Sequence, residues 1–140
     1  MAKPDSKRPE RRKHYFFLNP YEDAAFTKCP KCDGKTMVRK FPLVIHIEPS
    51  QIFLLNKKCR YCTNCDLIIT WKSELESLMA AGFENKSPEI IGNDYLVMGT
   101  LEKHHWRQRD RVAKDSNEVI ELMYVFKDVL NFEPIPAWTR

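Results

Sequence analysis

The chain has 140 residues, 43% apolar and 30% charged, with a formal charge of +4; that suits one ordinary domain with a buried core and excludes two large ones. These proportions exclude a chain dominated by low-complexity disorder, and the lack of any apolar run of about 20 residues excludes a helical membrane span. The first residues lack the apolar stretch of a secretory signal, so the expected compartment is the cytoplasm, where thiols stay reduced and paired cysteines favour metal over disulfide.

Charge is segmented rather than uniform. Residues 1–13 carry +4 and residues 28–72 carry +6, whereas residues 73–102 carry −5. The first segment, with Arg11 and Arg12 among its cations and no apolar periodicity, reads as a disordered basic arm. Residues 14–140 read as a single domain. His14 to Tyr21 is aromatic and extended, with Asn19 as N-cap and Pro20 opening one or two helical turns to Phe26.

Lys35 to Ile47 is β-rich, with Pro42 marking an edge or bulge. Glu48-Pro-Ser-Gln51 is a turn, Ile52 to Tyr61 returns antiparallel, and Asp66 to Trp71 leaves as a third strand. Ser73 and Glu76 form a capping box for a helix that buries Leu75, Leu78 and Met79 and stops at Gly82. Tyr95 to Leu101 is a buried strand in which Gly99 marks a bulge. From Ser116, Val119, Leu122, Met123, Phe126, Val129 and Leu130 recur at helical spacing, and a tail leads to Trp138.

The densest chemistry is Cys29-Pro-Lys-Cys32 and Cys62-Thr-Asn-Cys65. Each CxxC turn supplies two thiolates along one edge of a tetrahedron, so the pair closes the shell of one structural zinc ion. Residues tolerant of positive φ follow each pair, Asp33-Gly34 and Asp66. Cys59-Arg-Tyr-Cys62 is an alternative pair, but it would place β-branched Thr63 at that turn position, so Cys59 is read as a small apolar residue of the sheet.

The run Cys29-Pro-Lys-Cys32-Asp-Gly34, a β-rich interval, then Arg60-Tyr61-Cys62-Thr-Asn-Cys65-Asp66 resembles a zinc ribbon, and the flanking segments look like those of small uncharacterised bacterial zinc-ribbon proteins. The interval between Cys32 and Cys62 is longer than in the shortest ribbons. The resemblance implies an α+β fold: an antiparallel zinc-ribbon sheet over residues 28–72, elaborated by a C-terminal helix–strand–helix layer over residues 73–140.

Three function classes are weighed. The first is non-catalytic binding to RNA, DNA or a nucleoprotein assembly through Lys35, Arg39, Lys40, Lys57, Lys58, Arg60, Arg11 and Arg12, with Phe41, Tyr61 and Trp71 as stacking faces. The second is a protein-interaction subunit or adaptor docking through its acidic helices or the Trp138 tail. An enzyme ranks third, because His104-His105-Trp106 with Arg107, Arg109 and Asp110 is the only dense catalytic-type cluster and no catalytic fingerprint accompanies it. His14 and His46 are assigned no role, and no membrane partner is expected.

Overall fold

A computed structural model gives the fold of residues 11–85, 87–108 and 116–133. Most of the expected basic arm, the residues Arg109 and Asp110 and the tail at Trp138 lie outside these described residues. Strands and helices are mixed, as expected of an α+β chain. Two compact units are present, and two long strands, β2 (Met37–Ile47) and β3 (Gln51–Cys62), contribute to both.

One unit comprises His14–Arg39, Lys58–Asn93 and the segment from Asp128. It holds β1 (Tyr15–Asn19), β4 (Leu67–Trp71), α1 (Lys72–Phe83) and β7 (Asp128–Val129), joined to parts of β2 and β3 in the order β2-β3-β4-β1-β7. β4 pairs antiparallel to β3, with Cys62 opposite Leu67. β1 lies parallel to both β4 and β7, which corrects the expectation of a purely antiparallel sheet. Parallel neighbours need a long connection, and the 47 residues between β1 and β4 supply one.

Leu67 to Thr70 are buried on both faces, as a central strand requires. One side packs with Phe17, Ala24, Phe26, Cys29 and Cys62, and Phe17 meets Phe26 and Phe132 edge to face at centroid separations of 5.2 and 5.3 Å. Two local expectations change. After Pro20 there is a turn instead of helix, because Asn19 uses its side chain twice: Oδ1 accepts from Tyr21 N at 2.9 Å and Nδ2 donates to Ala24 O at 2.8 Å. The helix α1 starts at Lys72 without a side-chain cap, runs past Gly82 to Phe83, and buries Leu75, Met79 and Phe83 while Leu78 stays exposed.

The other unit comprises Lys40–Lys57 and Asp94–Lys127, with Arg11 to Lys13. Here β5 (Tyr95–Thr100) pairs antiparallel to β2, and the register slips so that Val44 faces Gly99 and Ile45 faces Val97, leaving Met98 as the extra residue of a bulge. α2 (Lys103–Gln108), α3 (Ser116–Leu122) and β6 (Tyr124–Val125) complete it, around a core of Val44, Leu101, Val119 and Met123. The expected long C-terminal helix thus ends at Leu122. Tyr124 and Val125 pair with Thr100 and Gly99, and Val125 also exchanges backbone hydrogen bonds with Arg11 and Lys13 at 3.0 Å each. Sheet pairing overrides the helical spacing of Phe126 and Val129.

Candidate metal centre

The end of β3 and two tight turns set the site. Cys29 and Cys62 are buried in the apolar core beside Phe17 and Leu67, while Cys32 is exposed and Cys65 half-buried at the turn tips. Their four Sγ atoms lie within 4.8 Å of one another. The Cys32 and Cys62 sulfurs are 3.6 Å apart, too far for a disulfide bond of about 2.05 Å. A tetrahedral zinc thiolate with Zn–S of about 2.3 Å has sulfurs about 3.8 Å apart, so the spacing fits one metal ion.

Backbone donors already point at the sulfurs. Lys31 N donates to Cys29 Sγ at 3.3 Å, Gly34 N to Cys32 Sγ at 3.4 Å and Cys65 N to Cys62 Sγ at 3.4 Å. Such bonds spread thiolate charge into the peptide frame and fix sulfur orientation. Asp33 and Asp66 occupy left-handed backbone at φ 66° and 57°, the conformation expected after each cysteine pair. At Gly34 a Cβ would stand 3.2 Å from Cys32 Sγ, a tight contact that the sulfur would have to yield to by a few tenths of an ångström.

Electrostatics separates the thiols. The Asn64 side chain, then Gly34 N, lower Cys32 to about 6. Burial pushes Cys29 up, and desolvation with hydrogen bonding to Cys32 and Cys29 pushes Cys65 up to about 12. Four thiolates share this volume only with a cation among them. Cys59 stands apart from the cluster, buried, with its sulfur accepting from Thr70 Oγ1 at 2.9 Å.

Sequence reasoning missed a polar lock on the second turn. The Asp66 carboxylate accepts from His14 N at 3.2 Å, from His14 Nδ1 at 2.5 Å and from the Tyr61 hydroxyl at 2.5 Å, while its backbone carbonyl accepts Tyr15 N at 2.7 Å. Desolvation and Asp66 together push Tyr61 up to about 12, so its hydroxyl remains a donor. His14 pays for its place with φ 73°. No local sequence signal links residues 52 apart; the sequence marks Asp66 only as a residue tolerant of positive φ.

The basic residues divide. Lys35, Arg39, Lys40, Lys58 and Arg12 are exposed, and the Arg39 guanidinium lies 5.1 Å over the Tyr61 ring. Lys57 is only 5% exposed, which removes it from the solvent-facing set; β3 alternates, turning Lys57, Cys59 and Tyr61 inward and Lys58 outward. Arg60 is committed to Thr36, donating to its Oγ1 at 3.0 Å and its carbonyl at 3.2 Å. Arg11 donates to Leu122 O at 2.9 Å and lies over Tyr124.

The proposed stacking faces are covered as well. Phe41 and Tyr61 are buried, and half-buried Trp71 spends its indole N–H on Tyr21 O at 3.0 Å. His104 and His105 fall in α2, their ring centroids 4.0 Å apart, and among the described residues the only group with metal-ligand spacing is the cysteine cluster. Half-buried His46 pairs with Leu96 across β2 and β5. No described helix is long and apolar enough to cross a membrane. Compared with protein-family models, with curated proteins and with solved structures, the chain matches none.

Proposed function

We propose that this protein is a non-catalytic adaptor whose fold is stapled by one structural zinc ion at Cys29, Cys32, Cys62 and Cys65, in a zinc-ribbon-like arrangement, and which meets a protein partner through the unit that carries the metal. The observation behind the partner class is apolar exposure beside charge. Met37 and Val38 are 46% and 53% exposed at the start of β2, flanked by exposed Lys35 and Arg39. The aromatic residues that would stack on bases are buried or engaged.

A second reading, binding to nucleic acid, keeps the support of exposed Lys35, Arg39, Lys40, Lys58 and Arg12. Titration of the zinc-loaded chain with generic RNA and duplex DNA at low and physiological salt separates the two. The adaptor reading expects binding only at low salt, lost steeply as counterions compete. Sub-micromolar nucleic-acid binding that persists at physiological salt would replace it with the second.

A further inference from the structure

We infer that the start of β2, around Val38, takes up an extended acidic segment of a partner protein as an added strand. The inference rests on the protein-partner reading above and gives it a mode. In a strand, a residue's N–H and C=O leave on the same side, and the side alternates along the chain. Thr36 N donates to Thr27 O at 2.9 Å, and Pro42 O accepts from Leu101 N at 2.9 Å, so the even-numbered residues turn their backbone groups away from β3. β5 pairs with β2 only from Leu43 onward. Among the described residues nothing pairs with the outward groups of Val38. This is an open edge at Val38, where an incoming strand can pair.

The side chains there specify what fits. Met37 and Val38 project to opposite faces and are both exposed, so an added strand gains apolar contact on each face. Lys28 and Lys35 sit directly opposite each other in an antiparallel bridge, both exposed, and among the described residues neither has a carboxylate partner. Like charges facing across strands repel, and an acidic side chain placed beside them converts that repulsion to attraction. A second copy of this chain is a poor occupant, because edge-to-edge pairing would bring two sets of Lys35 and Arg39 within one strand spacing, about 4.8 Å. A nucleic acid would use the cations and leave the Val38 amide and the two apolar side chains idle.

The test is selection of a random ten-residue peptide display library on the full-length, zinc-loaded chain, followed by amide hydrogen exchange with the best synthetic peptide. The expected peptides alternate Asp or Glu with Val, Ile, Tyr or Phe, and slow exchange at Val38 at least tenfold. Val38→Pro removes the outward N–H together with the Val38 side-chain contact, and Lys35→Glu reverses one charge; each is expected to weaken the peptide at least tenfold with zinc content unchanged. Should Val38→Pro lose zinc, protection of the Val38 amide in the unsubstituted chain decides. Absence of enriched peptides, peptides indifferent to both substitutions, or protection of Val38 by RNA or by self-association instead would overturn strand addition. Peptides that bind elsewhere leave the adaptor reading standing, whereas persistent nucleic-acid binding at physiological salt removes that reading itself.

Discussion

Each thiol at the cysteine cluster has its own proton affinity, and this gives metal binding a defined pH dependence. With Cys29 raised by burial and Cys65 raised to about 12, both hold protons at neutral pH unless a metal displaces them. Cys32, lowered to about 6, is then already anionic. The metal-bound state therefore carries fewer protons than the metal-free state, and by linkage the affinity rises with pH. Between pH 7 and 8 the logarithm of the zinc affinity should climb by at least about 2 per pH unit, one each for the protons displaced from Cys29 and Cys65, and more steeply below pH 6, where Cys32 adds a further one. Competition against a chelator of known pH behaviour measures the slope; an affinity independent of pH would mean that these thiols are not the ligands. The same residues were legible in the sequence because CxxC spacing and a φ-tolerant follower are local properties. The Asp66–His14–Tyr61 lock was not, since it depends on β1 lying parallel beside β4.

Elements formed where tertiary pairing agreed with the local pattern and shifted where it did not. The β2–β3 hairpin, β4, α1 and β5 arise near their expected positions, and even the bulge beside Gly99 is anticipated by glycine in an apolar run. The C-terminal helix is cut short because β6 lies against β5 at Gly99, where any Cβ would overlap the Tyr124 carbonyl. Helical spacing in the sequence contains no information about that contact. Gly99→Ala should therefore destabilise the chain by about 3 kcal/mol, at the high end of overpacking because backbone rather than a flexible side chain must move. Gly92→Ala is the control: Gly92 has φ 91° but open space around it, so only backbone strain of about 1 kcal/mol is expected. Urea unfolding of both variants gives the comparison, and equal losses would show that the β5–β6 approach is looser than described.

At the scale of the molecule, the cysteine cluster is the tie between sequence and fold. Cys29 and Cys62 belong at once to the apolar core and to the cluster, so an ion bound there would hold two turns that are 30 residues apart against the same side of β4. Zinc in such shells contributes about 10–16 kcal/mol in small peptides, comparable to the whole stability of an ordinary domain. The most direct test is native mass spectrometry of the intact chain, paired with thermal unfolding, for the unsubstituted protein, Cys62→Ser and Cys59→Ser. One zinc per chain, retained with cooperative unfolding in Cys59→Ser and lost together with that cooperativity in Cys62→Ser, is the predicted result. A metal-free protein whose unfolding is equally cooperative in all three would contradict the account.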